Sequence, residues 1–107
     1  MGKLGYGFYP THPGEILKDE IEYRKISRHA LAEKTGISYR MLNLILSARR
    51  PVTAEIALIL EAALDIPADS LVQLQTKYNL QTARSNKSLL ERIMAVKKVA
   101  AVLSLKP

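Results

Sequence analysis

The chain has 107 residues and no cysteine. That excludes a disulfide framework, a thiolate nucleophile and cysteine-based metal sites, and it fits a reducing cytoplasm. There are only two histidines, His12 and His29. Neither has a second ligand at coordinating spacing, and neither forms a histidine–carboxylate pair at a spacing useful for catalysis. No glycine-rich loop of the phosphate-cradling kind is present. An enzyme is therefore not expected, nor a metal or cofactor. No apolar run reaches the roughly 18 residues that suggest a membrane span. The opening MGKLGYGFYP has neither the apolar centre nor the cleavage site of a secretory signal. A cytoplasmic protein without a membrane partner is the expectation.

What the chain does have is apolar content, at 48% of residues. That is enough to fold, and the length suits one domain with a modest helical core. Its net charge of +6 is unevenly spread. Residues 1–23 carry −2 and residues 54–80 carry −3. Residues 24–50 carry +6, with seven bases against Glu33 alone, and residues 81–107 carry +5.

The central basic segment contains RHALAEKTGISYRMLNLILS, from Arg28 to Ser47. It reads as two short helices around a break at Gly36, a residue that takes the left-handed conformation ending a helix at little cost. Ala32 is small enough for a close, steep helix crossing. Leu31, Ile37, Leu42 and Ile45 fall on the inward side of that crossing, and Ser38 can cap the second helix. Tyr39, Arg40, Asn43 and Ser47 remain outside, with Leu44 beside them. This is a helix-turn-helix pattern with a DNA-reading second helix.

The base-reading candidates are Ser38, Tyr39, Arg40 and Asn43. Arg40 matches guanine O6 and N7, and Asn43 matches adenine N6 and N7. Tyr39 suits a phosphate or a thymine methyl. The phosphate candidates are Arg28, Ser47, Arg49 and Arg50. Arg28 and His29 sit at a helix start capped by Ser27. They are placed either to receive a phosphate or as an ordinary exposed first turn. Arg49 and Arg50 precede Pro51, which stops the helix, and suit backbone phosphates or pairing with an acid such as Glu55.

Around this centre the organisation is linear. Residues 1–10 read as a mobile arm and residues 11–85 as a helical DNA-binding domain. Residues 86–107 read as an amphipathic helix. Thr11 or His12 caps the first helix, Pro13 occupies its first turn and Glu15 its positive end. Ile16, Leu17 and Ile21 are the expected buried stripe. AEIALILEAALDI is apolar on most of its circumference and reads as the central core helix. The next helix shows Leu71, Leu74 and Tyr78 at helical spacing. In the last, Leu89, Ile93, Val96, Ala100 and Leu103 form a heptad-like seam. That helix should cover its apolar side on its own body, on a second copy or on another protein. A basic amphipathic helix can also bind a membrane surface.

HPGEILKDEI, LAEKTGISYRMLNLILSARRPVT, ALILEAALDI and LVQLQTKYNL occur in an order that resembles the HigA/VapI-type antitoxins. These belong to the XRE-like, lambda-repressor-like group. The resemblance spans about residues 12–80, and HPGE and LQxxY are its most specific parts. It implies an all-α fold: a five-helix DNA-binding domain, here with an additional C-terminal helix. It also implies a homodimer on double-stranded operator DNA. Such an antitoxin binds a HigB toxin, a RelE-like nuclease that cuts mRNA on the ribosome, and the pair represses its own operon on the nucleoid. The alternative is a stand-alone regulator with no toxin. Two features depart from the family pattern. Ser70 and Leu71 stand where members often carry an aromatic pair, and the last 22 residues are basic and lie beyond the resemblance.

Overall fold

A computed structural model describes residues 10–103, which form six helices and no strand. The arm expected at residues 1–10 lies outside the described residues apart from Pro10. The helices are α1 (Pro13–Tyr23), α2 (Arg28–Thr35), α3 (Tyr39–Leu46), α4 (Ala54–Leu64), α5 (Ala68–Arg84) and α6 (Lys87–Leu103). The all-α, five-helices-plus-one expectation holds.

Each start has a chemical reason. His12, Ser27, Ser38 and Thr53 cap α1 to α4 with side-chain acceptors for a free backbone N–H. Pro67, before α5, has no side chain that can do so. Glu61 supplies the missing acceptor from α4, taking the Ala68 N–H at 3.0 Å. Asn86 caps α6 through the Leu89 N–H at 2.9 Å. At the other end of α4, Arg24 donates to the Leu64 carbonyl at 2.7 Å and pairs with Glu20.

The core is one cluster drawn from α1 to α5. Leu17 and Ile21 meet Leu31, Leu42, Ile45, Leu46, Val52, Ala57, Leu60, Leu64 and Leu71, all almost fully buried. The expectation is corrected at two places. Ile16 is 42% exposed, because the inward side of α1 is taken by Leu17 and Ile21, in line with Pro13 and Gly14. Helix α4 is not enclosed on most sides. It buries Ala57, Leu60 and Leu64, while Leu58, Ile59, Ala62 and Ala63 face outward. Its apolar composition marks surface as well as core.

Helix α6 buries nothing. The seam at Leu89, Ile93, Val96, Ala100 and Leu103 does not fold back on the body. Leu89 and Ala100 are only half-buried, and Ile93, Met94, Val96, Val99, Val102 and Leu103 are exposed. The principal neighbour of α6 is α5.

The first turn of α1 packs directly on the last turn of α3. A Cβ built on Gly14 would run into the Ile45 carbonyl, a backbone group that cannot move away cheaply. Above this contact His12 is 1% exposed. Its Nδ1 accepts from the Gly14 N–H at 2.8 Å, and its ring hydrogen-bonds to the Arg50 backbone. The ring also meets Tyr78 edge-on, with centroids 4.8 Å apart. Gln75, buried on the same side of α5, accepts from the Val52 N–H at 2.8 Å and donates to Asn79. The segment from Arg50 to Val52 is therefore held from α1 and from α5.

Two outcomes follow. Gly14→Ala should lower stability by about 1–3 kcal/mol, the usual cost of overpacking, read from denaturant melts. Burial holds the His12 pKa below its ordinary value of 6.5, against the opposing pull of the Glu15 charge and the Arg50 backbone hydrogen bond. The proton then binds more readily to the unfolded chain. The contribution of His12 to stability is complete above that value and is lost as pH falls through the folded pKa. Melting temperature should drop on acidification from neutral pH in the wild type. His12→Asn, which can still cap, should flatten that dependence.

Candidate nucleic-acid interface

The two helices of the motif meet through a turn with three fixed points. Gly36 has φ +79° and donates its N–H to the Ala32 carbonyl at 2.9 Å. The Thr35 hydroxyl donates to the Leu31 carbonyl at 2.7 Å and accepts from the Ile37 N–H at 3.2 Å. The Ser38 hydroxyl accepts from the Met41 N–H at 3.0 Å. Leu31, Ala32, Ile37, Leu42 and Ile45 are buried, as their spacing predicts. Packing thus consumes the inward side of α3 and sets its outer side.

On that outer side Ser38, Tyr39, Arg40 and Ser47 are exposed, and Asn43 is half-buried. The Ser38 hydroxyl is committed to the cap, and the Ser47 hydroxyl donates to the Leu44 carbonyl. Arg40 extends free of any carboxylate within 4 Å among the described residues. Two contacts tie this face to the start of α2. The rings of Tyr39 and His29 stack, with centroids 3.8 Å apart and planes 5° from parallel. Arg28 donates from Nη1 to Asn43 Oδ1 at 2.8 Å, while its Nη2 lies 3.6 Å from a Glu22 carboxylate oxygen. The outer face is therefore shared by two helices.

Behind it the chain turns sharply. Ala48 has φ +66°, in the left-handed region usually left to glycine. The Ala48 N–H reaches the Ile45 carbonyl, and the Arg49 and Arg50 N–H groups reach that of Leu44. Helix α3 ends by this closure several residues before Pro51, which the sequence marks as the stop. Arg49 and Arg50 are exposed, and neither pairs with Glu55 or any other described acid. Their side chains stand free on a segment whose backbone His12 and Gln75 fix.

The structure therefore brings Ser38, Tyr39, Arg40, Asn43 and Ser47 onto one helix face. Arg28 stands beside Asn43, and Arg49 and Arg50 follow the helix end. Three contacts that shape this face do not follow from the sequence pattern. His29 is a stacking partner of Tyr39, Thr35 a brace of the turn and Gln75 the clamp on Val52. Gln75 had a signal: a glutamine in the stripe between Leu71 and Tyr78 has to be satisfied if buried. No group of three or more metal-ligating side chains occurs among the described residues, and none of their helices is long and apolar enough to cross a membrane.

Comparison with known proteins agrees with this geometry. A helix-turn-helix family model matches residues 17–71. The chain is 36% identical over 84 residues to virulence-associated protein I of Dichelobacter nodosus, covering 78% of each. A solved complex of Pseudomonas aeruginosa antitoxin HigA with the higBA promoter matches with a TM-score of 0.70 and 35% identity. It covers 78% of this chain and 94% of that one. A further Pseudomonas aeruginosa structure, solved with 18-bp operator DNA, matches with a TM-score of 0.69 and 36% identity, over 80% of this chain and 95% of that one. By the family model, the identity to these relatives and the shared fold, the chain belongs to the helix-turn-helix family and to its HigA/VapI-type antitoxin group.

Proposed function

We propose that this protein is a sequence-specific DNA-binding repressor and the antitoxin of a toxin–antitoxin module. One observation carries the reading. The polar residues of α3 are on its solvent side, while the rest of the helix is locked by the core. A rigid helix with an exposed Arg40 and a partly exposed Asn43 is shaped for the major groove, where those side chains read guanine and adenine edges. Tyr39 and Ser38 sit at the end of the helix that would enter first. Arg49 and Arg50, with Ser47 beside them, fit the backbone phosphates and set register without reading sequence. That relatives were solved with operator and promoter DNA supports duplex DNA as the ligand of this chain.

In this reading two copies bind a palindromic operator, with their α3 helices about 34 Å apart, one turn of DNA. The antitoxin names of the relatives support a HigB-type, RelE-like toxin as protein partner, with the complex acting in the cytoplasm on its own operon. Co-purification with the product of the adjacent reading frame tests that part. Failure to bind it, with operator binding intact, leaves a stand-alone regulator.

The DNA contacts separate by their effects. Arg40→Ala should cost about 1–3 kcal/mol on the operator and relax preference at one base pair. Arg49→Ala should weaken all duplexes alike and reduce the slope of log K against log salt by about one. Equilibrium titrations on operator and scrambled duplexes at several salt concentrations measure both. An equal, sequence-independent loss from the two changes would remove α3 from the groove.

A further inference from the structure

Arg28 is the first residue of α2, and by position it belongs to the phosphate contacts. Its surroundings say more. One guanidinium nitrogen donates to Asn43 Oδ1 at 2.8 Å, across from the middle of α3. The other terminal nitrogen faces Glu22 at 3.6 Å. The guanidinium is thus held from both sides, and its charge is partly offset by a carboxylate, which weakens it as a ligand for a phosphate. The contact also has a direction. An asparagine amide has one accepting end and one donating end. Turning it over would place its NH₂ against the guanidinium, donor against donor, beside a charge. Arg28 therefore selects one of the two orientations of the Asn43 amide.

We infer that Arg28 is a specificity-determining residue that acts through Asn43: it fixes the amide so that a single donor–acceptor pattern faces the groove. This rests on the DNA-reading assignment of α3 made above. With Oδ1 held toward Arg28, its second lone pair and the Nδ2 donors remain. That is the pattern that accepts from adenine N6 and donates to adenine N7. A freely turning amide presents the reverse pattern as readily, and it discriminates poorly between a base that donates and one that accepts. The planar fork of Arg28 matters as well as its charge, since a lysine ammonium has no fixed plane to hold the amide.

The experiment is a titration of the full-length protein against the operator and single-base-pair variants of it, at several salt concentrations. The proteins are wild type, Arg28→Ala, Arg28→Lys, Asn43→Ala and the double variant Arg28→Ala/Asn43→Ala, each checked for an unchanged helical signal and melting profile. Arg28→Ala is expected to lower discrimination at one base pair about tenfold, the scale of one bidentate contact. That base pair should be the one affected in Asn43→Ala, and the double variant should lose no more discrimination there than Asn43→Ala alone. Arg28→Lys should keep the wild-type salt slope yet lose the same discrimination. The inference is overturned if Arg28→Ala weakens every duplex by one factor, lowers the salt slope, is rescued by lysine, and adds fully to Asn43→Ala. Wild-type protein with no sequence preference at any salt would instead overturn the DNA-reading assignment itself.

Discussion

Everything near α3 depends on how closely α1 can approach it. At Gly14 the approach leaves no volume for even a methyl group beside the Ile45 carbonyl. Because α1 sits that low, His12 reaches inward over the segment that leaves α3, and Tyr78 of α5 closes on the ring edge. Gln75, one turn before Tyr78, takes the Val52 N–H from the other side. The sequence elements HPGE and LQTKY, far apart in the chain, are thus two halves of one clamp. Neither contributes to the outer face of α3. They set the path of the backbone that carries Arg49 and Arg50.

The helix-turn-helix itself was legible because its determinants are local. Gly36, Ser27 and Ser38 are punctuation with known backbone consequences, and the buried set from Leu31 to Ile45 follows helical spacing. The other helix ends were not legible in the same way. Lys25, Ala48 and Asp65 all take the left-handed conformation with φ near +60°; aspartate tolerates it, but nothing about a lysine or an alanine singles out the other two. At Lys25 and Ala48 the reward lies in the closure. The N–H groups beyond each bend satisfy the last carbonyls of the helix, and Ile26 packs against the core just past Lys25. Tertiary structure overrides local preference there.

Helix α4 failed for a different reason. Periodicity separates a polar face from an apolar one, and a helix with little polar face offers nothing to separate. Leu58 and Ile59 are as apolar as Leu60, yet only Leu60 is enclosed. The candidate interface was legible as a set of residues and not as a set of pairs. Ser38, Tyr39, Arg40 and Asn43 follow from the helix wheel. The Arg28–Asn43 bond and the His29–Tyr39 stack require the angle between α2 and α3, which three-dimensional packing alone supplies.

Helix α6 has 17 residues and buries no side chain. That length is close to the point where a helix in water is marginal on backbone hydrogen bonds alone. Its order is therefore coupled to whatever covers its apolar stripe. A surface that covered the stripe would stabilise the helix by mass action. Without such a cover, the exposed apolar side chains of α6 meet water, and backbone hydrogen bonds carry most of its helical order.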